Sequence, residues 1–147
     1  MAFTGPLEDR VAIRELMDTH AHGVMTKDPA VWGAIWADDA SWSLLDYPDL
    51  GDFEGKETIV SGWIESMKHY GLDNCTRPMV YFMQPGAIAV DGSHATAVAY
   101  TIEIYDDPAT GQRVRGTGRY NDTLEKRDGR WLFTRREYGI LFEDRAG

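Results

Sequence analysis

The hydrophobic pattern of this chain changes its period near the middle. In the first half, apolar side chains recur at steps of three and four residues, which is the spacing of one face of a helix. In the second half, runs rich in Val, Ile, Tyr, Phe and Thr cover residues 79–90, 94–106, 113–126 and 130–142, and such residues favour strands. Helices followed by strands predict an α+β fold, because neither half alone can cover its own apolar face.

Three helices are predicted in the first half. The first covers about residues 8–25, where the apolar stripe is regular. An aspartate followed by a proline suits the start of a second helix, over about residues 28–38. The third helix covers about residues 56–71 and ends on a glycine, a residue suited to the left-handed conformation that closes many helices.

The remaining segments are predicted from turn residues. A short strand is expected over residues 40–45, followed by an irregular loop over residues 47–55 that turns toward the mouth of a pocket. Asp91-Gly92, residues 106–111 and Asp128-Gly129 separate the four strand runs as hairpin turns. Three successive hairpins predict an antiparallel meander.

A single domain over residues 1–147 is expected, because no linker, internal repeat or low-complexity segment divides the chain. No stretch approaches the roughly 18 uninterrupted apolar residues of a membrane span, so no membrane contact is expected. The amino terminus has neither the basic region nor the apolar core of a secretory signal, which favours a cytoplasmic location.

The net charge and the number of possible metal ligands exclude two further classes of protein, those that bind nucleic acid and those that hold a structural metal. The formal net charge of −9 repels phosphate backbones, so no nucleic-acid partner is expected. One cysteine and four scattered histidines give no spacing that suits a closed zinc site, and no metal is expected.

Three segments carry a resemblance to a known family: residues 7–16 (LEDRVAIREL), 35–42 (IWADDASW) and 120–131 (YNDTLEKRDGRW). They resemble SnoaL-like proteins of the nuclear-transport-factor-2-like (NTF2-like) superfamily, nearest to its dehydratase and dehydrochlorinase branch. The resemblance implies three N-terminal helices packed on a curved, mostly antiparallel sheet, forming a cone around a central pocket. It also implies a small apolar organic ligand and catalysis by side chains, with no cofactor.

The family's customary dyad is expected to be absent. The resemblance implies an aspartate on the first helix that orients a histidine on a strand. Met25 stands at the aspartate position in this chain. Counting back from the turn at Asp91 places Tyr81 at the histidine position, whereas counting forward from the third helix points nearer to Cys75 or Pro78.

His20 and Tyr81 are therefore the candidates for proton transfer. His20 lies on the apolar stripe of the first helix, and an imidazole with a pKa of about 6.5 can move protons at neutral pH. The alternative is a core histidine held by a hydrogen bond. A phenol with a pKa of about 10 makes Tyr81 better suited to act as an acid or oxyanion donor, or else it is an ordinary strand aromatic.

Arg136 is the third candidate catalytic residue, because the resemblance places a pocket arginine at this position. Strand alternation puts Arg136 on the face opposite Trp131. A buried guanidinium needs an anion, which Glu103, Asp46 or a negatively charged substrate can supply; an ordinary salt bridge is the alternative.

The candidate ligand-binding residues are aromatic side chains, one methionine and one glycine. Trp42 also matches a pocket residue of the dehydrochlorinase, whereas aromatic side chains of this kind equally suit an ordinary core. The set comprises Trp42, Tyr47, Met25, Tyr100, Gly118 and Tyr120.

Two functions follow from these predictions. One is a cofactor-independent lyase or isomerase that acts on a small apolar cyclic or aromatic molecule. The other is a non-catalytic protein that binds a small ligand or a partner, because the customary dyad is missing. Trp131 and Phe133 alternate on one side of the last strand, so a homodimer through the outer face of the sheet is expected.

Overall fold

A computed structural model describes residues 1–50, 52–69, 72–74 and 79–146. The helices in these ranges are α1 (Leu7–Thr26), α2 (Pro29–Gly33) and α3 (Lys56–His69). The strands are β1 (Phe3–Thr4), β2 (Trp36–Leu44), β3 (Asp52–Glu54), β4 (Val80–Asp91), β5 (His94–Asp106), β6 (Arg113–Arg127) and β7 (Arg130–Ala146).

The strands form one open, curved sheet in the order β1-β4-β5-β6-β7-β2-β3. The pairs β4–β5, β5–β6 and β6–β7 are antiparallel, as the three predicted hairpin turns require. Two pairings are parallel, namely β1 with β4 and β2 with β7. The predicted α+β class and the antiparallel meander are confirmed.

The apolar stripe predicted for the first helix is the buried face of α1. Its buried residues include Ile13, Met17, His20 and Val24, at steps of three and four. The helix ends where Lys27 adopts the left-handed conformation with φ 55°. This face packs chiefly on β4, so α1 carries His20 against the sheet.

The second helix is much shorter than predicted. Its start agrees, since the Asp28 carboxylate accepts hydrogen bonds from the Ala30 and Val31 N–H groups at 3.0 and 3.2 Å. The helix ends at Gly33, however, and the chain then pairs with β7, where the Phe133 N–H donates to the Ile35 carbonyl at 2.9 Å. Sheet pairing therefore overrides the helical spacing after residue 34.

Two strand predictions also need correction. Strand β2 begins at Trp36 and not near residue 40, because the same pairing with β7 extends it backward. The predicted irregular loop contains β3, which pairs antiparallel with β2. The predicted stop of the third helix at Gly71 lies outside the described residues.

A β-bulge in β7 corrects the predicted side of Arg136. The pairing between β6 and β7 shifts by one residue, from Thr123 opposite Arg135 to Leu124 opposite Phe133. The extra residue reverses the alternation, so Phe133 and Arg136 are both fully buried in the same interior.

Trp131 and Phe133, which suggested an apolar outer face, do not lie on the outer face of the sheet. Trp131 and Phe133 are buried inside the chain, at 4% and 0% exposure. The outer face instead carries an exposed apolar row across the meander, in which Phe82 pairs with Ile102 and Phe142 lies two strands further along.

Among the described residues, no helix combines the length and the apolar character that crossing a membrane would require.

Candidate active site

A cavity of about 160 Å³ lies between α1, α3 and the sheet. Its wall is mostly apolar, with a few polar groups that converge on the same space. The residues that line it are His20, Val24, Trp32, Trp42, Leu44, Tyr47, Trp63, Ser66, Met67, Leu72, Met79, Tyr81, Glu103, Tyr120 and Tyr138.

His20 is buried at this cavity with both ring nitrogens in contact with polar groups. Nδ1 lies 2.8 Å from Nη1 of Arg136, and Nε2 lies 3.3 Å from the Tyr81 hydroxyl. A guanidinium has only donors, so Nδ1 must accept this bond and cannot carry a proton. The ring proton therefore sits on Nε2, which donates toward Tyr81.

The charge of His20 follows from the same surroundings. Burial lowers the pKa of the imidazole well below its usual value, and the positive charge of Arg136 lowers it further. His20 is therefore neutral at physiological pH. Because its free lone pair is already used by Arg136, it is suited to hydrogen-bond donation and not to proton removal.

Arg136 is held behind His20 by a buried ion pair. Its Nε and Nη2 donate to the two carboxylate oxygens of Asp122 at 2.8 and 3.0 Å, with both side chains inaccessible to solvent. The guanidinium also lies over the rings of Tyr120 and Phe133, at 4.0 and 3.9 Å from their centroids. Asp122 is thus the anion that Arg136 requires, and neither Glu103 nor Asp46 has that role.

Tyr81 extends the chain of hydrogen bonds from Arg136 and His20. Burial raises the pKa of the phenol well above its usual value, so the hydroxyl keeps its proton. Its oxygen accepts from His20 Nε2, which leaves the O–H proton available as a donor. The ring stacks on the imidazole with centroids 5.4 Å apart, and this packing fixes its orientation.

Glu103 supplies the acidic group of the cavity. Burial raises the pKa of its carboxyl to about 7, although a hydrogen bond from Tyr138 at 3.2 Å opposes that rise. The carboxyl therefore titrates in the neutral range. A carboxylate with this proton affinity in an apolar cavity suits a general base.

From the sequence, Glu103 was expected only as a possible ion-pair partner of Arg136. The sequence does contain a signal for its role. Glu103 lies two residues after the buried Thr101 on a largely apolar strand, so the two side chains are on the same face of the sheet. An acidic residue at an inward position is unusual and points to function or to an ion pair.

The predicted ligand-binding residues divide into two groups. Trp42, Tyr47 and Tyr120 line the cavity. The other three do not: Met25 packs against the core, Tyr100 is 43% exposed beside Arg119 on the outer face, and Gly118 lies beneath the Tyr138 ring. Strand alternation explains Tyr100, since its neighbours Ala99 and Thr101 are buried.

The alternative positions for the strand histidine, Cys75 and Pro78, lie outside the described residues. Tyr81 pairs with Glu103 across β4 and β5 and faces the cavity.

Comparison with protein families finds a match to the SnoaL-like domain over residues 5–137. The chain belongs to the SnoaL-like family. The resemblance predicted from the three sequence segments is thereby confirmed. A search of curated proteins found no match to this SnoaL-like domain.

Solved structures show the same fold at low sequence identity. The hexachlorocyclohexane dehydrochlorinase LinA-type3 from Novosphingobium barchaimii is 18% identical, with 96% of this chain and 92% of that chain covered and a TM-score of 0.78. A putative scytalone dehydratase from Novosphingobium aromaticivorans is 20% identical, with coverage of 96% and 89% and a TM-score of 0.79.

An NTF2-like protein with a cystatin-like fold from Novosphingobium aromaticivorans is also similar. It is 22% identical, with 92% of this chain and 83% of that chain covered and a TM-score of 0.72. The SnoaL-like domain described here therefore has the NTF2-like fold.

Proposed function

We propose that this protein is a cofactor-independent lyase or isomerase that moves a proton on a small, largely apolar, cyclic or aromatic molecule. The substrate occupies the cavity enclosed by the three helices and the curved sheet. The observation that carries this proposal is the convergence of the Glu103 carboxyl, whose pKa is raised by burial to about 7, with His20 and Tyr81 on a mostly apolar wall.

In the proposed reaction, the Glu103 carboxylate removes a proton from carbon. Negative charge then develops on a substrate oxygen or on a leaving group. The Tyr81 hydroxyl, oriented by neutral His20 Nε2–H, donates a hydrogen bond or a proton to that atom. Elimination completes a lyase reaction, and return of the proton to another carbon completes an isomerisation.

This assignment revises the roles expected for His20 and Arg136. His20 acts as a donor and positions Tyr81, whereas Glu103 takes the role of base. Arg136 acts through His20, because its charge is already paired with Asp122. Two solved proteins with this fold have names that denote eliminations, a dehydrochlorinase and a dehydratase, which agrees with a lyase-type reaction.

A second candidate is a non-catalytic protein that binds a small ligand in the same cavity. Met25 supports it, because it replaces the aspartate that the family resemblance places on the first helix. The convergence of His20, Tyr81 and Glu103 on one cavity favours the enzyme.

Hydrogen–deuterium exchange tests the proton-removal step before a natural substrate is known. Wild-type protein in D₂O is incubated with monocyclic ketones such as cyclohexanone, and incorporation of deuterium beside the carbonyl is followed by NMR. We expect Glu103→Gln to slow this exchange by about 100-fold, the usual contribution of a general base. Glu65→Gln, an exposed change on α3, is the matched control and should leave the rate unchanged.

Exchange that persists in Glu103→Gln would contradict the role of Glu103. A wild-type protein that binds ring ketones without exchanging their protons would favour the non-catalytic alternative.

We also propose that the protein acts as a cytoplasmic homodimer, joined through the outer face of the sheet. The exposed row of Phe82, Ile102 and Phe142 supports such a contact.

A further inference from the structure

The Glu103 carboxyl lines the cavity without an ion-pair partner. Within the described ranges, its side chain accepts a hydrogen bond from the Tyr138 hydroxyl at 3.2 Å and forms no salt bridge. Besides burial, the charge of another carboxylate, Glu143, raises the pKa of Glu103. Charged groups that are removed from water are normally paired in proteins. The carboxylate can therefore accept a positive group from a bound molecule.

Two arginines in this part of the sheet are already paired with other carboxylates. Arg145 donates to Glu143 and Asp107 at 2.8 and 3.1 Å, and it does not line the cavity. Arg136 forms the buried ion pair described above. Neither guanidinium therefore neutralises Glu103.

The positive and negative groups at the cavity lie at different places. Arg136 bonds to His20 from behind, and its guanidinium lies over the Tyr120 ring at 4.0 Å from the centroid. Tyr81 contacts His20 through its hydroxyl and pairs with Glu103 across β4 and β5. A cation in the cavity is therefore disfavoured next to Arg136 and favoured next to Glu103.

Aromatic rings form much of the cavity wall. Among the described residues, three tryptophans and four tyrosines line it. The Tyr138 ring lies next to the carboxylate, because its hydroxyl bonds to Glu103. The face of an aromatic ring carries partial negative charge, and sites that recognise ammonium ligands are built from such rings. A carboxylate in these surroundings suits an organic cation.

A metal cation does not suit the same position. Calcium and magnesium ions require about six oxygen ligands. No group of three or more side chains that could hold a metal ion occurs in the described part of the chain. An ammonium group, by contrast, can bind to one carboxylate and the surrounding rings.

The volume limits the size of the ligand. The cavity measures about 160 Å³. An engineered apolar cavity of about 150 Å³ binds a single benzene ring. One six-membered ring with an amino group therefore fills the space. The net charge of −9 attracts such cations to the protein.

We propose that the cavity binds cyclic or aromatic amines in their protonated form, with the ammonium group beside Glu103 and the ring against the tryptophans. The inference goes beyond the proposed reaction and does not rest on it, because binding needs the carboxylate but no removal of a proton from carbon. A bound ammonium group pairs with the carboxylate that the reaction uses. Such amines therefore compete with the substrate.

Two molecules of similar shape test the proposal without requiring turnover. Cyclohexylamine and cyclohexanol have nearly the same outline, and at pH 8 only the amine is charged, because alkylammonium groups have a pKa of about 10. We expect wild-type protein to bind the amine about tenfold more tightly, since a cation gains this much from a carboxylate and aromatic rings that are partly removed from water. Isothermal titration calorimetry measures both affinities.

The preference for the amine should depend on pH. Below about pH 7, Glu103 takes up a proton and no longer attracts the cation. Tyr81, Tyr120 and Tyr138 keep their protons in this range, because burial raises the pKa of each phenol. His20 stays neutral, because burial lowers its pKa. Titrations at pH 5.5 should therefore give nearly equal affinities for the two molecules.

Variants assign the preference to one carboxylate. Glu103→Gln keeps the size of the side chain and removes its charge, so it should abolish the preference at pH 8 and change cyclohexanol binding by less than about twofold. Glu65→Gln removes the same charge from an exposed position on α3 and should keep the preference. Thermal unfolding checks that each variant is folded, and the pH dependence of wild-type protein needs no variant.

Equal affinities of wild-type protein for the amine and the alcohol at pH 8 would overturn the proposal. No saturable binding of either molecule, or a preference that Glu103→Gln retains, would also overturn it. Failure of the proposed reaction gives a different result, in which the preference for the amine persists although the protein exchanges no deuterium into cyclohexanone.

Discussion

Glu103 and Tyr81 face one cavity and have opposite roles in proton transfer, although burial is the first cause of the raised pKa of both groups. Burial disfavours the charged form of any group, so it raises the pKa of a carboxyl into the neutral range and that of a phenol far above it. At neutral pH, one group can accept a proton while the other can only donate. Burial is thus the main cause that makes one group a base and the other an acid, and the charge of Glu143 raises the pKa of Glu103 further.

The pH dependence of deuterium exchange should follow the Glu103 carboxyl. Since only the carboxylate can remove a proton, we expect the rate to rise with pH through about 7 and to level off above it. Exchange of cyclohexanone at pH 5 to 9, corrected for the uncatalysed rate, measures this profile. A rate that is flat or falls across this range would show that another group is the base.

His20 should make the protein sensitive to acid. Its pKa is lower in the folded protein than in the unfolded chain, where it is about 6.5. Below that pH the unfolded chain binds a proton that the folded protein does not, so the free energy of unfolding falls as pH falls. The Glu103 carboxyl has the opposite effect, because its raised pKa stabilises the folded protein as pH falls through about 7. The contribution of His20 is therefore measured by urea unfolding at pH 7.5 and 5.5 as a difference between wild-type protein and a variant.

Relative to wild-type protein, the variant His20→Gln should become more stable as pH falls from 7.5 to 5.5, because its side chain does not titrate. An amide can also accept from Arg136 and donate to Tyr81. Equal changes in the free energy of unfolding of the two proteins would mean that groups other than His20 determine the pH dependence.

At the scale of elements, β6 and β7 hold the Tyr138 ring in place. A methyl group on Gly118 would lie 2.2 Å from Cε2 of Tyr138 and 2.4 Å from its hydroxyl oxygen. We expect Gly118→Ala to displace that ring, weaken its hydrogen bond to Glu103 and lower the free energy of unfolding by about 1 to 3 kcal/mol.

Gly116→Ala is the matched control on the same strand, because its nearest neighbour would be the Phe142 carbonyl oxygen at 3.7 Å. Thermal or urea unfolding of the two variants gives the comparison. Equal stability of Gly118→Ala and Gly116→Ala would show that the close approach of Tyr138 has no energetic consequence.

The elements also show which structural features hydrophobic periodicity in the sequence can predict and which it cannot. The stripe of α1 could be predicted because one helix face packs on one sheet. The end of α2 could not, since pairing between β2 and β7 decides it and that contact joins residues nearly 100 positions apart. The bulge in β7 likewise has no local signal, so strand alternation put Arg136 on the wrong face.

The candidate site was predictable to a similar extent. Local spacing put His20 on the buried face of α1, and counting back from the turn at Asp91 selected Tyr81, which lies at the cavity. Glu103 and Asp122 have their roles only because other strands of the sheet bring Tyr138 and Arg136 to them. Such contacts depend on strand register, which a single sequence does not specify.

For the whole molecule, the exposed apolar row on the outer face predicts self-association. Phe82 and Ile102 are adjacent across β4 and β5 and are 58% and 50% exposed. We expect a dimer at micromolar concentration in light scattering after size-exclusion chromatography. Phe82→Asp should produce a monomer, because burying its charge at the contact is unfavourable.

The control is Leu7→Asp, which changes an exposed apolar residue at the start of α1 and should leave the dimer intact. A monomeric wild-type protein would contradict the expectation, and so would a dimer that persists in Phe82→Asp.

The buried ion pair between Arg136 and Asp122 affects which molecules can enter the cavity. Its two charges cancel, so among the residues that the structure describes at the cavity, Glu103 is the group whose ionisation changes the charge. Once that carboxyl ionises, it adds a negative charge to the cavity of a protein that is itself anionic. Benzoate and benzaldehyde have nearly the same outline, yet the first meets electrostatic repulsion and the second does not. We therefore expect the cavity to distinguish, by their charge, molecules that have the same shape.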